Sequence, residues 1–287
     1  MTTMIIAYLD TNVFNDLIGR RCGVTDADIL ALRHAISRGR VTIPLSAEVL
    51  TEKLFTMEAC PDLFYRDLEF IYGLVDQQKL CKDPAQLIRE HIHCYAQGLP
   101  LTGCYVTDGG KAAQWFLYTA ANDRRRLLEL AEEVNTQKTR SLEWMTETTT
   151  DRRKGLQALK ESDRTLKKQL AAASFADMWR ENAERLVRGW AEREGVLEAC
   201  EERGIDGLLK VRIVRITAVT YLSLFLSHDF KGRHPRKGDY GDLLHARFGT
   251  GADVFVTGDS RLREALSGVP IDGLAVMDLP TFIQEIE

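Results

Sequence analysis

Met4-Ile5-Ile6-Ala7-Tyr8-Leu9-Asp10-Thr11-Asn12-Val13-Phe14-Asn15-Asp16-Leu17-Ile18 is the stretch on which the fold turns. Its first six residues form a short apolar run that stops at Asp10. Val13, Phe14, Leu17 and Ile18 then return at helical spacing behind a polar turn. That pattern predicts strand, turn, helix. Val41-Thr42-Ile43-Pro44-Leu45 repeats it, with Ser46 placed to cap a helix carrying Val49, Leu50, Leu54 and Phe55. Near the other end, Asp253-Val254-Phe255-Val256-Thr257 reads as a strand closed by Gly258-Asp259-Ser260 and followed by Leu262, Ala265 and Leu266 on a helix. Leu274 to Met277 is a last strand, and Pro280 opens a last helix at a position proline favours. Strands alternating with helices at both ends predict an α/β fold: a parallel sheet flanked by helices. In such folds the chemistry lies at the carboxyl ends of the strands.

The middle of the chain differs. All seven prolines lie outside residues 101–234, and all four tryptophans, Trp115, Trp144, Trp179 and Trp190, lie inside it. The expected organisation is a first part of the α/β domain over 1–100, a helical insertion over 101–206 and a second part over 207–287. Trp179, Ala183, Leu186, Val187 and Trp190 share one helical face, so their spacing predicts core packing rather than base stacking. Leu156, Leu159, Leu166 and Leu170 form a second stripe, which suggests a helical hairpin. Thr139 to Asp151, polar and rich in threonine, reads as a turn or a mobile stretch.

The 287 residues carry 38 Lys and Arg against 42 Asp and Glu, a formal charge of −4. Binding of nucleic acid through bulk positive charge is thereby excluded, and any such contact must use local basic patches. Ile216 to Leu226 is too short for a membrane span and reads as a buried helix. Residues 1–7 lack a basic leader and a cleavage site, so a cytoplasmic protein is expected. Six scattered cysteines without a Cys-x-x-Cys pair predict free thiols, and His91-Ile92-His93-Cys94 alone is weak evidence for zinc.

Asp10, Glu52 and Asp259 fall at expected strand ends or in the turns after them, and Asp242 opens the expected helix Leu243-Leu244-His245-Ala246. Each alone has an ordinary explanation; Asp10 and Asp242, for instance, stand where a residue caps a helix. Together they carry a cost. Two carboxylates about 4 Å apart repel by roughly 4 kcal/mol at an effective dielectric near 20, which a divalent cation removes. Oxygen donors without a thiolate favour Mg²⁺ or Mn²⁺.

Tyr8-Leu9-Asp10-Thr11-Asn12-Val13-Phe14, Ser46-Ala47-Glu48-Val49-Leu50-Thr51-Glu52, Asp242-Leu243-Leu244-His245-Ala246 and Val256-Thr257-Gly258-Asp259, in that order, resemble the PIN-domain ribonucleases, the family that includes VapC-type toxins. The closing strand and Leu279-Pro280-Thr281-Phe282-Ile283 resemble the family's C-terminal end. The likeness covers residues 1–57 and 207–287. It implies a PIN-like parallel sheet flanked by helices, and a hydrolase that cleaves RNA with Mg²⁺ or Mn²⁺. By motif, Asp10 matches the first acid, Glu52 the second, Asp242 the third and Asp259 the fourth, all as catalytic metal ligands. Glu48, one turn before Glu52 on the same face, is the alternative second acid; the family's usual spacing from the serine favours Glu52. Asn12 and Thr257 resemble the polar neighbours that orient the first and fourth acids. The implied reaction is in-line attack of a metal-bound water, leaving a 5′-phosphate and a 3′-hydroxyl without a covalent intermediate.

Glu52 and Asp242 stand 190 positions apart, more than a compact PIN domain requires, and substrate choice or partner binding is expected in the insertion. Lys231, Arg233, Arg236 and Lys237, just before Asp242, are candidates for holding phosphate; a plain solvated loop explains them as well. Arg124-Arg125-Arg126, Arg152-Arg153-Lys154 and Lys167-Lys168 sit among glutamates, as on a solvated helix. His245, one turn after Asp242, is read as a packed or hydrogen-bonded residue.

Three other readings compete. A haloacid-dehalogenase-type phosphatase shares the early aspartate and the Gly-Asp-Ser turn, but Asn12 replaces its second aspartate. A structure-specific DNA nuclease of the flap type usually has more acids than this chain offers beyond Asp239 and Asp253. A PIN-like scaffold without activity would be expected to have lost at least one acid. The expected partner is RNA, single-stranded or structured. An antitoxin, another protein or a second copy of the chain stays open, as do the roles of toxin in a toxin–antitoxin pair, defence effector and processing enzyme.

Overall fold

The structure, a computed structural model, describes residues 4–162, 175–230 and 234–287. Two parallel sheets organise it, both small beside the helices. The larger has four strands in the order β2-β1-β5-β6, where β1 is Ile5–Leu9, β2 Val41–Thr42, β5 Val254–Val256 and β6 Ala275–Met277. A two-stranded sheet pairs β3 (Pro44–Leu45) with β4 (Asp76–Leu80). The expected strand over 41–45 therefore divides at Ile43 and serves two sheets. β4, with sequence Asp-Gln-Gln-Lys-Leu, has no apolar alternation that would announce it.

In β1, Ile5 and Ile6 pair with Val41 and Thr42, while Ala7, Tyr8 and Leu9 pair with Val254, Phe255 and Val256. The chain steps from β1 to β2 on one side and returns at β5 on the other. The carboxyl ends of β1 and β5 thus lie together at the point where strand order reverses, the usual crevice of an open α/β sheet.

Helices cover both faces. Asp10 caps α1 (Thr11–Gly19), accepting from Val13 N at 2.8 Å. Thr25 and Asp28 close a capping box on α2 (Asp26–Ser37). Ser46 caps α3 (Ala47–Ala59) as expected, and α4 (Pro61–Tyr72) and α5 (Pro84–Gln97) each begin at a proline. Toward the C-terminus stand α11 (Arg212–Phe230), α12 (Lys237–Phe248), α13 (Ser260–Gly268) and α14 (Leu279–Ile286). The apolar run expected to be a buried helix over Ile216–Leu226 lies within α11: Ile216, Ala218 and Val219 are fully enclosed, Tyr221, Leu222 and Leu224 are half-buried, and only the backbone of Phe225 and Leu226 is described. Among the described residues no helix is long and apolar enough to cross a membrane.

The segment 101–206 supplies α6 (Gly109–Asn122), α7 (Arg124–Ser162), α8 (Phe175–Arg193), α9 (Leu197–Glu202) and α10 (Ile205–Leu208). The turn or mobile stretch expected over Thr139–Asp151 is helix, inside one continuous helix of 39 residues. Its hydroxyls do not compete with the helix because they fold back on it: Ser141, Thr146 and Thr150 donate to the carbonyls four residues earlier. Leu166 and Leu170 of the expected leucine stripe, with Lys167-Lys168, lie outside the described residues.

The helices of this segment share the cores of the rest. Ala113, Phe116, Ala120, Leu127 and Ala131 are buried in the same cluster as Ala7 and Leu9 of β1. Ala183, Val187 and Ala191 of α8 pack with Leu87 and Ile92 of α5 and with Ile213 and Val214 of α11. The tryptophans divide. Trp179 and Trp190 pack against that cluster as the spacing predicts, whereas Trp115 and Trp144 stand half exposed, at 54% and 49%. All six cysteines are free thiols.

Candidate acidic metal centre

Three acids from distant parts of the chain are linked through their neighbours: Thr257 joins Asp10 to the backbone of Asp259, and Arg261 lies against Asp259 and Asp242. Asp10 follows β1 and is buried. Its Oδ1 accepts from Val13 N at 2.8 Å, and its Oδ2 accepts from the Thr257 hydroxyl at 2.5 Å, so capping the helix and serving the site are compatible roles. Thr257, fully enclosed, also accepts from Asp259 N at 3.1 Å and so links the ends of β1 and β5. Asp259 caps α13 through Oδ1, which accepts from Arg261 N and Leu262 N. Its Oδ2 lies 2.8 Å from the Arg261 guanidinium, which also lies 3.7 Å from Asp242 Oδ2.

Asp242 does not open its helix. α12 starts five residues earlier at Lys237, because Asp239 accepts from Arg236 N at 2.8 Å and secures the first turn. Asp242 therefore projects from the second turn, partly enclosed beside Asp259, Asp239 and Asp10. Burial, then the charges of those three acids, push its carboxyl up to about 7, with His245 opposing. Burial also raises Asp10, while His245, the Thr257 hydroxyl and Val13 N hold it down. Both carboxyls are thus displaced toward their neutral forms, first by burial and only then, at Asp242, by the neighbouring acids.

Glu52 and Glu48 face the pocket from α3, and both acids weighed for the second position are present. Glu52 Oε2 lies 3.2 Å from His245 Nε2 and its Oε1 accepts from Lys138 Nζ at 2.9 Å. Glu48, buried, lies 3.0 Å from the same Lys138. Burial alone would raise the Glu52 carboxyl; the hydrogen bond and charge of His245 and the charge of Lys138 overcome it and hold Glu52 far below the usual carboxylate range. His245 is fully buried, which disfavours its charge, yet Glu52, Asp10 and Glu48 raise its pKa above the ordinary value. A polar chain runs beneath it. Tyr8 Oη is 2.8 Å from His245 Nδ1 and 2.9 Å from Ser46 Oγ, and Ser46 accepts from Val49 N at the head of α3. Thr11 Oγ1 lies 3.1 Å from His245 Nε2.

Glu48, Glu52 and His245 offer one donor atom each, all within 4.8 Å of one another, so this cluster could hold a metal ion. Among the described residues neither Asp10, Asp242 and Asp259 nor His91-Ile92-His93-Cys94 forms such a group: Arg261 lies against Asp242 and Asp259, His91 bonds Thr102 O and His93 faces Glu194. Asn12 is exposed on the first turn of α1 beside Gly258. Asp253, an extra acid in the sequence, accepts from Ile6 N within the sheet. Of the basic loop, Arg236 is exposed at the head of α12, only the backbone of Lys237 is described, and Lys231 and Arg233 lie outside the described residues.

Lys138, Arg261 and the linking roles of Tyr8 and His245 escape sequence reasoning. Arg261 had a signal, two residues after Asp259 in the first turn of the expected helix. Lys138 had none, since only the fold brings a residue 86 positions away to Glu52. Comparison of the chain with family models, with curated proteins and with solved structures gives no match.

Proposed function

We propose that this chain is a metal-dependent endoribonuclease with a PIN-like fold, holding Mg²⁺ or Mn²⁺ on Asp10, Asp242 and Asp259, with Glu52 as the fourth acid of the pocket. The observation that carries the reading is the gathering of three acids from separate segments near the carboxyl ends of β1 and β5, where burial first and then the neighbouring acids push Asp242 up to about 7. The donor set is all oxygen, which suits a hard divalent ion. When bound, that ion neutralises charge on a phosphodiester and acidifies water.

The chain's own groups have separable tasks. Thr257 fixes the Oδ2 side of Asp10, and Val13 N fixes Oδ1, so this acid is aimed before any ligand arrives. Arg261, half exposed at the rim, offers a planar guanidinium to a phosphate beside Asp242 and Asp259. His245 and Lys138 hold Glu52 ionised. Single-stranded RNA is the proposed substrate, cut to a 5′-phosphate and a 3′-hydroxyl.

The test is cleavage of labelled single-stranded RNA and matched DNA by wild type and Asp10→Asn, with Mn²⁺, with Mg²⁺ and with chelator. Metal-dependent RNA cleavage that Asp10→Asn lowers at least about 100-fold supports the reading. Preference for DNA moves it to a flap-type nuclease. Absence of cleavage together with absence of metal stabilisation sinks it in favour of a scaffold.

A further inference from the structure

Among the described residues Arg261 and Lys138 bring cations of the chain's own to the pocket, and they differ. Arg261, between Asp242 and Asp259, has a side chain 51% exposed. Lys138, between Glu48 and Glu52, is only 11% exposed and lies over the Phe55 ring at 5.4 Å. Lys138 comes from α7, so the helical segment reaches into the acids rather than standing apart from them. Glu48 Oε1 is buried, and its partner is the Lys138 ammonium at 3.0 Å, which stands where a bound cation would. An ammonium is a compact point charge, suited to take the place of a small ion between carboxylates.

We propose that Lys138 is a tethered cation occupying the position of a second metal ion, so that the pocket takes one divalent ion, on Asp10, Asp242 and Asp259. Two-metal nuclease sites hold their ions about 3.5–4 Å apart between shared carboxylates. Here the Glu48, Glu52 and His245 half has the donors for an ion, and Lys138 fills it from within. The exposed Arg261 can leave its acids for solvent or for a phosphate when an ion enters. The enclosed Lys138 has no such exit. This inference rests on the reading of Asp10, Asp242 and Asp259 as a divalent site.

The experiment is Mn²⁺ titration of the full chain by calorimetry, with electron paramagnetic resonance to detect coupled ions, on wild type, Lys138→Met, Lys138→Arg and Asp242→Asn. Circular dichroism and melting establish that each variant is folded. Wild type and Lys138→Arg should bind one Mn²⁺ per chain, Asp242→Asn should lose it, and Lys138→Met should bind two with a spin-coupled signal. Two ions in wild type overturn the proposal whatever the variants do, as does a single ion in folded Lys138→Met; both leave the nuclease reading intact. Should Lys138→Met not fold, Lys138→Gln takes its place with the same expectation. Absence of any Mn²⁺ in wild type instead overturns the metal site on which both readings stand.

Discussion

Asp242 gives the most direct residue-scale test, because its carboxyl is pushed up to about 7 from an ordinary value of 3.8. A raised carboxyl binds its proton more tightly folded than unfolded, so the metal-free protein loses stability as pH rises from about 4 to about 7 and regains none above. Asp242→Asn removes that loss. Metal-free Asp242→Asn should match wild type near pH 4 and exceed it by on the order of 2–4 kcal/mol above pH 7.5. Thermal melts in chelator at both pH values check this, and an unchanged difference would refute it. Lys53 is a second test, away from the acids. It is buried, with Asp67 Oδ2 and Asn15 Oδ1 each at 2.7 Å, so it fastens α3 to α4 and α1. Lys53→Met leaves buried Asp67 with only the exposed Arg66, 3.3 Å from its Oδ1, and should cost about 2–4 kcal/mol, while Lys53→Met with Asp67→Leu should recover most of it, as denaturant midpoints will show. At this scale the sequence is legible where a residue sits beside its own strand end, as Asp10, Thr257 and Asp259 do. It is silent on partners such as Lys53 and Asp67 whose meeting depends on helix packing.

At the scale of elements, α12 shows what sets the site's spacing. Gly241, the residue before Asp242, faces α3 so closely that a Cβ there would lie 3.0 Å from Glu52 Oε1. That carboxylate is fixed from behind by His245 and from the side by Lys138, and has little freedom to retreat. Gly241→Ala should therefore lower cleavage by about tenfold or more while shifting the melting temperature by only a few degrees, since the helix itself gains from alanine. Equal loss in both would mean that the α3–α12 contact is structural only. The start of α12 was misread because Asp242 followed a loop-like Gly-Asp-Tyr-Gly, and the side chain of Asp239, not that of Asp242, secures the first turn. α7 was misread for a related reason. Threonine-rich sequence lowers helix propensity, yet packing against α3, α11 and α12 outweighs propensity along one face. The strand–turn–helix units at the two ends were legible because apolar period and caps agree there, as at Ser46. β4 was not, because a polar strand can be recognised only by the edge it pairs with.

For the whole molecule, composition marks residues 101–206 as different but says nothing of their dependence on the rest. Phe116, Ala120, Leu127 and Ala131 belong to the core that holds β1, and Ala183, Val187 and Ala191 of α8 belong to the core lined by α5 and α11. Replacing residues 101–206 by a short linker would expose those faces, so the shortened chain should fail to melt cooperatively; calorimetry of the purified variant checks this, and a sharp transition would show an independent domain. The length of α7 adds a mechanical consequence. From Lys138, clamped between Glu48 and Glu52, the helix continues to Ser162, about 36 Å at 1.5 Å per residue. Met145 and Thr149, both buried, keep the helix packed beyond that clamp, so the arm that can swing starts after Thr149: it runs about 20 Å to Ser162, and a swing of about 5° moves its far end by about 2 Å.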